Sequence, residues 1–237
     1  MQTLFSDRAH CYRCYRPKSS CMCGHIRPIL TQTTFVVLMH PKEFRKTKNG
    51  TGHLTHLSLP NSELFVGINF THHARINEII ATHESFILYP SAHALNLSHE
   101  NPQKALHVKK PMAIFLIDST WACSLKMMRE SQNLHALSHI SFDATKRSAF
   151  KIKEQPKEYC LSTIESTLTV LELLNVWQIE SIAQEALEGF LTPFHAMIAY
   201  QLGHANHPLT REVRFRPTSK GVLTPHDWQQ IPSFCKN

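Results

Sequence analysis

The sequence predicts an α/β fold with a mostly parallel sheet, an N-terminal cysteine-rich segment and a helical C-terminal part. Three observations support this prediction. Short apolar segments alternate with helical patterns through the middle of the chain, four cysteines are grouped near its start, and longer helical patterns fill its last third. Because strands that alternate with helices are joined by crossovers, we expect them to pair in parallel with helices on both faces.

The N-terminal cysteines have the spacing of a metal site. A C-x2-C pair is followed by a C-x-C pair: Cys11, Cys14, Cys21 and Cys23. Turns this short can bring four thiolates to about 2.3 Å from a structural, tetrahedral Zn²⁺. Free or disulfide-bonded thiols are the alternative. Metal binding is favoured because the other cysteines lie singly along the chain: Cys123, Cys160 and Cys235.

The chain is basic and has no apolar segment of membrane-spanning length. Its 237 residues, 42% of them hydrophobic, suit one globular domain or one domain with a small appendage. The net charge of +7 favours a polyanionic partner. No apolar run approaches the roughly 20 residues that span a bilayer, and the N-terminus has no signal-peptide core. With its odd cysteine count, the chain is expected to be a soluble, cytoplasmic protein with no membrane partner.

The central elements follow from apolar patterning. Five segments have the length and the β-branched or aromatic content of buried strands: Thr34–Met39, Leu64–Phe70, Ser85–Tyr89, Ala113–Asp118 and Leu137–Phe142. Three helical patterns lie between them: Lys46–Leu57, Ala74–His83 and Trp121–Glu130.

The last third is predicted to be helical. A helix over Leu161–Leu174 begins with Ser162 three residues before Glu165, which is a capping-box pattern. A second helical stretch, Glu180–Leu202, is expected to be interrupted or bent near Pro193. The segment at 211–217 is basic and is predicted to be irregular.

Three strand ends carry polar motifs with two readings each. Asp118-Ser119-Thr120-Trp121 could bind a ligand beyond the strand's carboxyl end, or Asp118 or Thr120 could simply cap the next helix. The segment at 40–52 could approach phosphates closely or be a solvated charged turn. Leu88-Tyr89-Pro90 could line a cofactor pocket or only end a strand. No G-x-S-x-G or H-E-x-x-H occurs, which argues against a hydrolase of familiar motif.

In this order the motifs resemble the DTW-domain family of tRNA-uridine aminocarboxypropyltransferases. The resemblance extends from Cys11 to beyond Glu165, and the name-giving D-x-T-W stands at 118–121 with Ser119 in the variable place. It implies transfer of the 3-amino-3-carboxypropyl group from S-adenosyl-L-methionine to N3 of a uridine in tRNA. The products are acp3U and methylthioadenosine. It also implies a SPOUT-like, knotted fold.

The resemblance implies roles for particular residues. Asp118 is the candidate catalytic base for the N3 proton, or the group that holds the donor's amino group. The expected donor-binding residues are Leu88, Tyr89, Pro90, Asp118, Ser119, Thr120, Trp121, Ser162 and Thr163. The expected RNA-binding cations are Arg13, Arg16, Arg45, Lys46 and Lys48. The cysteines would hold structural zinc.

The resemblance also suggests a division of the chain. We predict a four-cysteine zinc segment over 1–27, a catalytic domain over 28–210 and a basic tail over 211–237. Two other functions stay open: a SPOUT-type RNA methyltransferase, and a non-catalytic zinc-knuckle RNA-binding protein. No obligate protein partner is evident.

Overall fold

A six-stranded parallel sheet forms the centre of the computed structural model, which describes residues 10–45, 50–102, 110–145, 147–149 and 160–205. The strands lie in the order β2-β1-β5-β3-β6-β4, and every pair is parallel. Their bounds are β1 (Thr34–Met39), β2 (Ser62–Val66), β3 (Glu84–Leu88), β4 (Leu95–Asn96), β5 (Met112–Asp118) and β6 (Ser138–Ser141). The α/β prediction with a mostly parallel sheet is confirmed.

The register brings the carboxyl ends of three neighbouring strands to one edge. On the central strand β5, Asp118 lies opposite Met39 of β1, and Leu116 lies opposite Leu88 of β3. The segments that follow β1, β3 and β5 therefore leave the sheet side by side. We call this the carboxyl edge.

Helices cover both faces of the sheet. Their bounds are α1 (Pro41–Arg45), α2 (Thr51–Ser58), α3 (Ala74–Thr82), α4 (Trp121–Glu130), α5 (Thr163–Val176), α6 (Gln184–Gly189) and α7 (Thr192–Ala205). None of the helices in the described ranges combines the length and the apolarity that crossing a bilayer requires.

Alternate residues of each strand point to opposite faces and build two cores. On one face Phe35 and Val37 of β1 pack with side chains of α2, α5, α6 and α7. On the other face Val36 and Leu38 pack with side chains of α3 and α4. All four are fully buried, and burying a side chain of this kind contributes roughly 1.5–3 kcal/mol. Burial on both faces explains why the strand is a continuous apolar run.

Most predicted elements are present, with informative shifts at their ends. The predicted β1 and α4 match the observed bounds, whereas β2 ends at Val66 because the chain turns at Gly67. A Cβ at Gly67 would lie 2.8 Å from the Phe70 ring, which folds back against this turn. The elements α1 and β4 were not predicted, since five and two residues are too short to show a period.

The predicted C-terminal helical stretch is interrupted and forms two helices, α6 and α7. The interruption follows Gly189, and Pro193 is the second residue of α7. Proline is tolerated there because the first turn of a helix does not need its missing N–H. The predicted irregular segment at 211–217 and Cys235 lie outside the described residues.

Candidate active site and cysteine cluster

Asp118 occupies the carboxyl end of the central strand and is buried. The Thr163 hydroxyl, at the start of α5, donates a hydrogen bond to Asp118 Oδ1 at 2.6 Å. The His40 backbone N–H donates to the Asp118 carbonyl at 3.0 Å. Asp118, the last residue of β5, is thus hydrogen-bonded to the residue that follows β1 and to the first residue of α5.

Gly52 is a second contact of this carboxylate. A Cβ at position 52 would lie 2.5 Å from Asp118 Cγ and 2.9 Å from Asp118 Cβ, a separation that real Cβ atoms essentially never show. Glycine is therefore required for the close approach of α2 to Asp118. The sequence suggested a phosphate-approaching loop or a charged turn around Gly52, and its contact with Asp118 was not foreseen.

Three helices begin beside Asp118. Gly52 is the second residue of α2, α4 begins at Trp121, and α5 begins at Thr163. The N-terminal end of a helix carries a partial positive charge and free backbone N–H groups. This part of the carboxyl edge is therefore suited to a carboxylate or phosphate.

The helix that follows Asp118 has Thr120 as its N-cap residue. The Thr120 side chain makes no capping hydrogen bond at the start of α4. Ser119 Oγ donates to the Thr120 carbonyl at 3.1 Å, Thr120 is exposed, and Trp121 is half-buried.

The Leu88-Tyr89-Pro90 segment leaves β3 at the same edge. Leu88 lies beside β5, and the Tyr89 backbone N–H donates to the Ile140 carbonyl at 3.2 Å. The Tyr89 ring lies edge-on to His139, with 5.8 Å between centroids. The sheet therefore brings this segment and the Asp118 motif together.

The predicted capping box of α5 is confirmed, and both the backbone N–H and the hydroxyl of Ser162 take part in it. Both the backbone N–H, at 2.9 Å, and the hydroxyl of Ser162 donate to Glu165 Oε2. The same carboxylate accepts bonds from Ser148 Oγ and the Ala149 N–H, each at 2.8 Å. Glu165 thus fixes the segment after β6 to the start of α5.

The four cysteines are brought together as their spacing predicts. The sulfurs of Cys11 and Cys23 are 3.7 Å apart, as are those of Cys14 and Cys21, and all four lie within 4.8 Å of one another. A tetrahedron with metal–sulfur bonds of about 2.3 Å has edges of about 3.8 Å, whereas a disulfide bond is about 2.05 Å. The cluster is therefore not disulfide-bonded and could hold a metal ion.

The electrostatics of the cluster also suit a cation. Backbone N–H groups of Cys14 and Arg13 lower the pKa of the Cys11 thiol to about 6. Burial raises the pKa of the Cys23 thiol. Four thiolates at this separation repel one another, and a bound divalent cation would remove that repulsion by ionising and ligating all of them.

The predicted RNA-binding cations fall into three groups. Arg13 and Arg45 are exposed. Arg16 is only 4% exposed; its guanidinium donates to Met197 Sδ of α7 at 3.0 Å, and burial lowers its pKa. It holds the cysteine cluster against α7, so it does not offer the surface contact expected of it. Lys46 and Lys48 lie outside the described residues.

Fold and site together define an α/β protein with a candidate site at the carboxyl edge of a parallel sheet and a cysteine cluster able to hold metal. The family model of the DTW domain matches residues 8–202, so the chain belongs to the DTW domain family.

Curated relatives agree with this assignment. Three proteins named tRNA-uridine aminocarboxypropyltransferase 2 are similar to the chain. The Drosophila melanogaster protein is 29% identical over 202 residues, covering 82% of this chain and 76% of its own length. The Mus musculus protein is 28% identical, covering 88% and 69%, and the Macaca fascicularis protein 27%, covering 83% and 65%. No solved structure matches the chain significantly.

Proposed function

We propose that the protein transfers the 3-amino-3-carboxypropyl group from S-adenosyl-L-methionine to N3 of a uridine in tRNA. The bond between the donor's sulfonium and the γ-carbon breaks, its electron pair stays on sulfur in methylthioadenosine, and an N3–carbon bond forms in acp3U. The observation that carries the proposal is the D-x-T-W motif at the carboxyl edge of a DTW-family chain. The names of the relatives support the reaction class.

Asp118 is proposed to handle the proton or the donor's amino group. Uridine N3 must lose a proton, and a buried carboxylate at the edge can accept it when the base lies within hydrogen-bond reach. The alternative role is to hold the donor's ammonium. In either role the Thr163 hydroxyl, 2.6 Å away, fixes the orientation of the carboxylate.

The donor is proposed to lie between the two segments that leave β3 and β5. A sulfonium activates all three attached carbons, so the pose of the donor selects the aminocarboxypropyl arm over the methyl group. The lining residues in this proposal are Leu88, Tyr89, Pro90, Asp118, Ser119, Thr120, Trp121, Ser162 and Thr163. The N-terminal ends of α4 and α5 suit the donor's carboxylate.

The cations of the chain are proposed to hold the tRNA backbone. Arg13 and Arg45 are exposed, and phosphate contacts of this kind position a nucleic acid without specifying its sequence. Lys46 and Lys48 remain proposed members of the set. The target uridine must leave its stack to expose N3.

Four further parts of the proposal concern architecture and location. Zinc in the cysteine cluster is proposed to be structural, since four cysteine ligands leave no open position for chemistry. The SPOUT-like, knotted fold is proposed from the family resemblance. Free thiols in the cluster are compatible with a reducing cytoplasm. We also retain the division at 1–27, 28–210 and 211–237 as a proposal.

Labelled S-adenosyl-L-methionine tests the reaction. With label in the amino-acid carbons, tRNA should become labelled; with label in the methyl group, the label should remain in methylthioadenosine. Methyl label in the RNA would instead identify a SPOUT-type methyltransferase. Salt-sensitive tRNA binding that ignores the donor, without any product, would identify a non-catalytic RNA-binding protein.

A further inference from the structure

Three rings meet where the N-terminal segment contacts the carboxyl edge. Tyr15 follows the cysteine Cys14, Phe44 belongs to α1, and His53 belongs to α2. Their centroids are 6.0 Å apart for Tyr15 and Phe44, and 5.4 Å for each pair that includes His53. We call these three side chains the aromatic platform.

Two rings of the platform are exposed to solvent and the third is buried. Tyr15 is 49% exposed and Phe44 is 36% exposed, whereas His53 is 6% exposed and lies beneath them. Other large aromatic residues of the fold, such as Phe35 and Phe115, are fully buried. Neighbouring exposed rings on a buried base are typical of a binding surface.

The backbone at Tyr15 is held in an unfavourable conformation. Its φ is 57°, in the left-handed region that bulky side chains rarely adopt. Its N–H donates to the Cys11 carbonyl at 2.7 Å, within the turn that gathers the cysteines. The turn that gathers the cysteines therefore fixes the backbone from which the Tyr15 ring reaches Phe44 and His53.

One ring nitrogen of His53 makes no hydrogen bond with the described residues. Its Nε2 is buried and has no hydrogen-bond partner among the described residues. Burial lowers the pKa of His53 to about 4, so the ring is neutral at physiological pH. A buried polar atom without a partner is costly.

The platform lies next to exposed cations and also next to the candidate active site. Arg13, Lys42 and Arg45 are exposed on the segments that carry Tyr15 and Phe44. His53 directly follows Gly52, the residue in contact with Asp118. A polyanion held by these cations would therefore cross the platform next to the carboxyl edge.

We propose that the aromatic platform stacks an unpaired base of the RNA substrate, a neighbour of the uridine that enters the carboxyl edge. This inference rests on the proposed function. A uridine exposed at N3 is unpaired, so a neighbouring base loses part of its own stacking. Aromatic rings restore such stacking for any base, while adjacent cations hold the phosphates.

The test compares equilibrium binding of an unmodified tRNA transcript by matched variants. Tyr15→Gly relieves the unfavourable backbone and removes the ring, so the fold should be kept while binding weakens about 10-fold. Tyr15→Phe should bind like wild type. Tyr12→Ala is the control for a lost surface tyrosine, since Tyr12 is 91% exposed and no ring of the described residues pairs with it.

Salt dependence separates stacking from charge. Tyr15→Gly should leave the slope of log affinity against log salt unchanged, whereas Arg13→Ala should reduce it by about one. In an RNA hairpin whose loop neighbours of the uridine are abasic, Tyr15→Gly and wild type should bind equally.

Wild-type affinity for both Tyr15→Gly and Phe44→Leu would overturn the inference, even if aminocarboxypropyl transfer proceeds. Phe44→Leu decides the matter alone if Tyr15→Gly loses its metal or its fold. An unaltered difference on the abasic hairpin would also overturn it. Failure of wild-type enzyme to transfer the group would instead refute the proposed function.

Discussion

The cysteine cluster and the carboxyl edge are built in opposite ways. All four sulfurs come from one short stretch, Cys11 to Cys23, and local turns bring them together. At the edge, Gly52, Asp118 and Thr163 come from three elements that are far apart in the chain. The cluster is therefore expected to form with its metal, whereas the edge exists only when the whole sheet is in place.

This difference separates two kinds of failure. A change in the cluster should remove metal and stability, because metal binding to such a site contributes folding free energy. A change at the edge should remove chemistry while the fold persists. Variants of the two regions therefore test whether structure and reaction are divided as proposed.

The largest expected effect is that of Asp118→Ala. Transfer should fall about 10²- to 10⁴-fold, the range for losing a positioned proton acceptor. Folding and tRNA binding should stay near wild type. Transfer is measured with carbon-labelled donor, binding by equilibrium titration, and Asp118→Asn controls for side-chain volume. Unchanged rates would remove Asp118 from the chemistry.

Next in size is Cys21→Ser in the cluster. Bound zinc should fall from about one ion per chain to well below one, and stability by a few kcal/mol, or roughly 5–10 °C in melting temperature. Metal analysis and thermal melting measure the two effects. Cys123→Ser, which changes a half-buried cysteine of α4, should alter neither. A fully metallated Cys21→Ser chain would contradict the assignment.

Gly52→Ala introduces a methyl group against the Asp118 carboxylate. Overpacking should cost about 1–3 kcal/mol, and displacement of the carboxylate should lower transfer about 100-fold. Gly24→Ala is the matched control in the N-terminal segment, because a Cβ there would meet nothing within 4 Å. Equal activity of the two variants would show that the close approach is unimportant.

Thr163→Val removes one hydrogen bond and keeps the shape of the side chain. The bond to Asp118 Oδ1 involves a carboxylate, so its loss should lower transfer about 10-fold. Thr169→Val, on the same helix, removes a hydroxyl that donates to the Glu165 carbonyl at 3.2 Å and should leave transfer unchanged. If Thr163→Val transfers the group as fast as Thr169→Val, Thr163 does not orient the carboxylate.

The smallest expected effect concerns His53, where the two regions meet. Its folded pKa is lowered to about 4, below the unfolded value of about 6.5. The unfolded chain therefore binds the extra proton first, and stability should decline as pH falls from 6.5 to 4. Urea unfolding at pH 7 and pH 5 should show a smaller decline for His53→Asn. His72 is exposed, so His72→Asn should lose as much stability between pH 7 and pH 5 as wild type does. If His53→Asn also loses this amount, burial of His53 is not the cause of the decline.

The sequence predicts an element well when its signal is local. The strands β1 and β5 are continuous apolar runs because both faces are buried, and the cysteine cluster is visible as spacing. The capping box at Ser162 is visible for the same reason. These features need no knowledge of distant residues.

The remaining features depend on long-range packing. Contact of Gly52 with Asp118 follows from how α2 lies against β5, which no local pattern records. Arg16 is buried against Met197 of α7, which is far away in the sequence. The residues next to Arg16 in the sequence therefore do not distinguish it from exposed Arg13. Glu165 is recognisable as a cap, but its hold on Ser148 and Ala149 is not.

The central position of β5 has a consequence for how the protein matures. Asp118 needs β1 and β3, made before it, as neighbours, and Thr163, made after it, as its hydrogen-bond donor. A nascent chain that stops before α5 therefore presents an incomplete site, and long-range parallel pairings of this kind form slowly. During refolding, transfer activity should appear only in the last stage of assembly, when the sheet and α5 are both in place. Recovery of activity would therefore measure completion of the fold.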